Sequence, residues 1–300
     1  MRKTRLIAIA AVAFGLSFAP ARAATDLAFG AYQRGLYNEA FREATGRIEK
    51  DKGDFAAMTL LGELYNQGLG VPVSPAKAAD WYRLAAQRGD PQALASLGLM
   101  ALEGRGMPKN PAQGRAWLEE AAAKGNPVAS YNLALILLPS NAEDDVRRTI
   151  ALLRVAANAE LPDAQHALGV LYLKGRGMTR NPAEAAKLFE RAALNGSSVG
   201  DVEYAILLFN GEGITKNESK AAQFFRRAAA KGNAIAQNRL ARLLAAGRGV
   251  PVNKIDAAAW HILSVAQGLN DPWLDDALKD LTPEEKNKAG KLAGERLGVR

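Results

Sequence analysis

The sequence predicts an all-α protein, a solenoid of about six helix pairs with capping helices at both ends. Three observations in one register predict it. Glycines that close a helix fall at Gly53, Gly89, Gly125, Gly196, Gly232 and Gly268, with spacings of 36, 36, 71, 36 and 36, so the 71 holds one copy whose closing turn has changed. Gly-x-Gly turns recur at Gly68/Gly70, Gly104/Gly106, Gly175/Gly177, Gly211/Gly213 and Gly247/Gly249. A bulky second-helix residue recurs at Trp81, Trp117, Leu153, Leu188, Phe224 and Trp260. A repeat of this length is one supersecondary unit that buries its apolar face only by stacking on its neighbours.

Pro91–Gly125 is the cleanest copy. Ala93, Leu97, Gly98 and Ala101 recur at helical period and mark the buried stripe of a first helix. Gly104-Arg105-Gly106 ends that helix, because glycine reaches positive φ without a steric penalty. Asn110-Pro111 starts the next helix, as Asn181-Pro182 does in the fourth copy: asparagine caps, and proline fits the first helical position. The second helix is expected to bury Ala116, Trp117, Ala121 and Ala122. Copy three departs from the pattern. Pro139-Ser140 replaces the Gly-x-Gly turn, Ala134 replaces a helix glycine, and Glu160 stands where a closing glycine belongs. An altered turn is expected there, not a break between domains.

The ends read as caps, which cover the stacking faces that terminal repeats would otherwise expose. Residues 24–54 hold a shortened helical pair, Leu27–Lys50, turning at Gln33-Arg34-Gly35. Residues 269–300 hold the last helices, the final one starting at Thr282-Pro283-Glu284-Glu285 with a capping threonine and acids at the positive helix end. The repeats occupy 55–268. Ahead of them, residues 1–23 read as an export signal. Arg2, Lys3 and Arg5 lead, an apolar run of thirteen residues spans Leu6–Phe18, and Ala21-Arg22-Ala23 offers cleavage after Ala23. The run is short of the ~20 residues a spanning helix needs, so cleavage is expected and not a retained anchor. The style of the signal points to a Gram-negative periplasm.

Cleavage would also remove Arg2, Lys3, Arg5 and Arg22, lowering the formal charge from +8 to +4. Charge so mild and scattered argues against nucleic acid as a partner. The absence of cysteine excludes disulfides and thiol nucleophiles. The two histidines, His166 and His261, lie nearly three repeats apart, too far to share a catalytic or metal site. The Gly-x-Gly turns close helices, whereas a phosphate-binding turn opens one. No enzyme, cofactor or metal is expected.

The motif A-x-x-x-L-G-x-x-[YL]-x-x-G-x-G followed by A-x-x-[WF]-[YF]-x-x-A-A-x-x-G resembles the Sel1-like repeat, a relative of the tetratricopeptide repeat, over roughly Phe55–Gly268. The resemblance implies a right-handed α/α solenoid. It also implies adaptor or regulatory work on a periplasmic or membrane-associated protein partner. By the likeness to tetratricopeptide repeats, first helices supply a concave wall, at two residues before the repeat leucine and at two and five after it. The middle copies are apolar there. Candidate partner-binding residues are Tyr131, His166 and Val202 at the first position, Leu99, Leu135, Val170 and Ile206 at the second, and Leu102, Leu138, Leu173 and Phe209 at the third. The end copies are polar, with Thr59, Glu63, Asn238 and Arg242. Two readings of the apolar stripe stand side by side: a groove for a partner segment, or core buried against neighbouring helices. An alternative function is an envelope carrier holding a lipid, a glycan fragment or a peptide in that groove.

Overall fold

Local chemistry starts and stops most of the helices. The computed structural model describes residues 26–298, so the expected export signal lies outside the described residues. Sixteen helices and no strand occur among them. An N-terminal pair, α1 (Leu27–Gln33) and α2 (Tyr37–Lys50), precedes six helix pairs. These are α3 (Phe55–Gln67) with α4 (Pro75–Ala86), α5 (Pro91–Glu103) with α6 (Pro111–Ala123), and α7 (Pro127–Leu137) with α8 (Glu143–Asn158). Then come α9 (Pro162–Lys174) with α10 (Pro182–Leu194), α11 (Ser198–Asn210) with α12 (Glu218–Ala230), and α13 (Ala234–Ala246) with α14 (Lys254–Ala266). A short helix, α15 (Pro272–Ala277), and a longer one, α16 (Pro283–Arg296), follow the repeats.

Both glycines of each turn are left-handed: Gly104 has φ 77° and Gly106 φ 72°, and the Gly104 N–H bonds the Met100 carbonyl at 2.8 Å. The second also allows close approach. A Cβ on Gly106 would stand 2.3 Å from the Pro75 carbonyl oxygen, at the start of the preceding copy's second helix. The cap side chains act as expected. Asn110 Oδ1 accepts the Gln113 N–H at 3.1 Å, and Asn181 Oδ1 accepts that of Glu184 at 3.1 Å, each contributing about 1 kcal/mol. Thr282 and Glu285 form a reciprocal capping box, with Glu285 N–H donating to Thr282 Oγ1 at 3.2 Å and Thr282 N–H to Glu285 Oε2 at 2.8 Å.

In copies one, two and four, a first-helix glycine faces one large side chain of the second helix. A Cβ on Gly62 would meet the Tyr82 ring at 2.6 Å, one on Gly98 would meet Leu118 at 2.7 Å, and one on Gly169 the Phe189 ring at 2.6 Å. These contacts correct the expected register. Tyr82, Leu118 and Phe189 are fully buried, one residue after the ladder read from the sequence. Trp81, Trp117 and Phe224 are only half-buried, and Ala116 is exposed. Leu153, Leu188 and Trp260 of that ladder are buried. A glycine opposite makes a deep slot for one side chain, while the preceding residue lies on the flank of the pair. Burying each such side chain contributes about 1.5–3 kcal/mol.

Copy three is built differently. α7 ends at Leu138 in right-handed conformation, without a left-handed glycine. Glu160 nevertheless keeps the closing turn's left-handed backbone at φ 61°. Its carboxylate is held by Arg191 at 2.5 Å, Gln165 at 2.7 Å and Asn195 at 2.8 Å. Hydrogen bonds from Arg191 and Asn195 hold this carboxyl below the usual glutamate range. The chain divides into two compact units inside α8, one up to Ala156 and the other from Ala157. In the first unit, apolar residues from Ala28 to Met100 form a continuous core. In the second, a core runs from Ala185 to Ala293 and takes in Leu274, Leu278 and Leu281 of the closing segment.

Candidate protein-binding site

The first helices are buried on most of their circumference, so the expected wall offers little open surface. In the first unit, Leu99 and Tyr131 belong to the core, and Leu102, Leu135 and Leu138 are half-buried. Leu102 leans on α6: a Cβ on Gly114 would meet its Cγ at 3.0 Å. In the second unit, Val202 is core, while His166, Val170, Leu173, Ile206 and Phe209 are half-buried. His166 sits 5.7 Å from the Phe189 ring, and burial lowers its pKa. Its Nε2 has no hydrogen-bond partner among the described residues, as suits a neutral ring in an apolar setting. His261, on α14, instead has Nε2 2.8 Å from Asp275 Oδ1. The two histidines contact different partners.

The polar residues at the end copies serve the fold. The Thr59 hydroxyl donates to Asp90, which caps α5 in the next copy, and Asn238 Nδ2 donates to Asp271, which caps α15, at 2.7 Å. Glu63 is 3% exposed. It accepts the Tyr82 hydroxyl at 2.7 Å and the Gln67 amide. Burial and the nearby Glu63 charge push the Tyr32 phenol up to about 12, so it stays protonated. Arg242 forms a two-pronged pair with Asp271, Nε to Oδ2 at 2.5 Å and Nη2 to Oδ1 at 2.7 Å. Arg242 holds the Asp271 carboxyl well below the usual aspartate range.

Of the eleven candidates, Ile206 and Phe209 line a defined cavity. It lies within the second unit and has a volume of about 270 Å³. α11 supplies Ile206, Phe209 and Asn210, α12 supplies Phe225, and α13 supplies Arg239, Arg242, Leu243 and Ala246. Arg248, in the turn after α13, and Trp273, on α15, complete it. The Arg248 guanidinium lies 4.2 Å from the centre of the Phe209 ring, and that of Arg242 lies 5.2 Å from the Trp273 ring. Sequence reasoning found the apolar side of this cavity and the position of Arg242. It missed Arg239, Arg248, Phe225 and Trp273 as lining. The Arg239/Arg242 spacing, which puts both on one helix face, was the available signal.

The Sel1 repeat profile matches residues 55–90, 91–126, 162–197, 201–233 and 234–269, more than half of the chain. The protein is a member of the Sel1 repeat family. The matched segments omit copy three, where the turn glycines are replaced. Among solved structures, a Sel1 repeat protein from Oxalobacter formigenes is similar to 80% of this chain and 98% of its own, at 25% identity and a TM-score of 0.69. A protective antigen of uropathogenic Escherichia coli with an SLR fold covers 92% of this chain and 70% of its own, at 23% identity and a TM-score of 0.55. Among curated proteins no sequence matches the chain. The fold is thus an all-α Sel1-type solenoid. Sel1 repeats generally act as protein–protein interaction scaffolds and are typically not enzymes. Among the described residues no helix is long and apolar enough to cross a membrane.

Proposed function

We propose that this Sel1 repeat protein is an exported adaptor that works in the periplasm after cleavage following Ala23. In this reading it binds a segment of a periplasmic or membrane-associated protein at the first-helix wall of its second unit, and so regulates an envelope or signalling partner. One observation carries the choice of place. Ile206 and Phe209 are wall residues that pack on the core of the second unit and also line an open cavity. A mouth lined by rings and guanidinium groups suits recognition of a protein segment better than chemical turnover, because it holds no paired acid and base.

Two measurements test this. Intact mass of the protein recovered from a periplasmic fraction should correspond to a chain beginning at Ala24; recovery of the uncleaved chain in the membrane would end the export reading. Affinity capture from detergent-solubilised envelope should return a protein partner that is lost when Ile206 and Phe209 are both changed to Ser, with the fold of that variant checked by circular dichroism. Recovery of a lipid or glycan fragment in place of a protein would favour the carrier alternative.

A further inference from the structure

The cavity of the second unit carries charge as well as apolar surface. Three of its ten lining residues are arginines. Two of them are fixed in place. Arg242 is clamped on one edge by Asp271, and Arg248 by Glu218, with Nε to Oε2 at 3.3 Å and Nη2 to Oε1 at 2.5 Å. Each also lies against an aromatic ring, Arg242 on Trp273 and Arg248 on Phe209. Both pairings use Nε and Nη2, so the Nη1 edge of each guanidinium has no acceptor among the described residues. Arg239 is exposed, with no carboxylate partner among the described residues. Asp271 pairs with Arg242, and Glu218 is shared by Arg248 and Lys216, whereas Arg239 adds a positive charge with no paired carboxylate among the described residues.

We propose that this pocket takes a short acidic segment of a partner protein, seating one apolar side chain against Ile206, Phe209 and Trp273 while a neighbouring carboxylate bonds Arg239 and the Nη1 edges of Arg242 and Arg248. Charge complementarity selects the occupant. A neutral apolar segment would cover Arg239 without supplying an acceptor, and that desolvation is unfavourable. A carboxylate gains charge-assisted hydrogen bonds from forks that are already oriented, so little side-chain freedom is lost on binding. A protein segment fits better than a fatty acid. Three of the ten lining residues carry guanidinium groups, whereas a long acyl chain needs a continuous apolar tunnel with one cation at its end. The proposal deepens the adaptor reading and rests on it.

The test uses the purified protein and a fluorescein-labelled octapeptide, Glu-Asp-Leu-Phe-Glu-Asp-Ser-Gly, read by fluorescence anisotropy. Controls are the matched peptide with Gln and Asn in place of the acids, the peptide with Ala-Ala for Leu-Phe, and unlabelled decanoate as competitor. The acidic peptide should bind at least ten-fold more tightly than either altered peptide, and less tightly as salt is raised. Arg239→Glu should lose at least ten-fold in affinity with an unchanged melting temperature, and Arg239→Lys should keep most of it. Equal binding of acidic and amide peptides, indifference to Arg239→Glu, or no peptide binding overturns the proposal. Tighter binding of decanoate, displacing the peptide, assigns the pocket to an amphiphile and overturns it as well. If an envelope partner is captured equally by the native protein and by Arg239→Glu, yet is lost from the Ile206/Phe209 variant, the acidic-segment inference fails while the adaptor reading stands.

Discussion

Glu63 in the first unit and Arg242 in the second occupy the same place in the repeat, two residues after the leucine that packs between the helices of a copy, and their surroundings differ sharply. Glu63 is sealed in. Tyr82 and Gln67 supply its hydrogen bonds, and Tyr32 from the N-terminal pair stands close enough to feel its charge. Arg242 keeps 41% of its side chain exposed, because the closing segment gives it a carboxylate and one aromatic face and leaves its other edge toward a cavity. Both positions come from the same repeat frame. The cap beside each decides whether it becomes core or site. In a solenoid, where every internal copy packs on near-identical neighbours, the ends are where new side chains can be brought in without disturbing the stack.

The largest effect should come from forcing the first position to resemble the second. Glu63→Arg would bury a cation beside a tyrosine hydroxyl that has lost its acceptor, and should destabilise the first unit by about 3–5 kcal/mol in urea unfolding. Next, Asp271→Ala removes both the partner of Arg242 and the cap of α15. A loss of about 2–3 kcal/mol is expected, read as an earlier transition in the second unit. The same residue sets an acid limit. Because the folded Asp271 pKa is depressed, its contribution is fully present above the ordinary aspartate value of 3.8 and fades as pH falls through the folded value. Unfolding midpoints measured from pH 5 down to pH 2 should therefore fall, and less steeply in Asp271→Asn.

A smaller difference tests copy three. Glu160→Ala keeps a left-handed backbone on a residue with a Cβ and removes three side-chain hydrogen bonds, whereas Glu160→Gly loses the bonds but relieves the backbone. The alanine variant should be the less stable of the two by about 1 kcal/mol. Smallest of all, Arg239→Glu should shift stability by less than about 0.5 kcal/mol, since the side chain is exposed and unpaired. A larger loss there would mean that Arg239 supports the fold, which would weaken its assignment to the pocket.

Much of the architecture was legible because helix starts and stops are short-range. Asn110, Asn181 and Thr282 cap through atoms three residues away, and Gly104 terminates α5 through its own φ. The slot that buries Tyr82 was misread by one residue, since Trp81 is the larger ring and only the facing Gly62 shows which of the two enters. At Glu160 the missing glycine reads as an altered turn, yet the backbone keeps the left-handed conformation glycine would have given, with the carboxylate bonded by Arg191, Gln165 and Asn195. The wall was legible as an apolar stripe, but pattern alone does not distinguish a residue that closes on a neighbour, such as Val202, from one that opens on a cavity, such as Ile206.

By itself the chain's sequence determined the repeat, its period, the helix pairs, their caps and the Sel1 family, because each depends on residues within one copy or on the same residue returning at a constant interval. Tertiary structure alone decided which wall residues are core, why the polar ends are polar, and where rings and guanidinium groups converge. Those outcomes depend on what Asp271 and Trp273 of the cap, Phe209 of α11 and Arg239 of α13 meet once the helices stack, and contacts between residues so far apart in the chain leave no periodic trace in it.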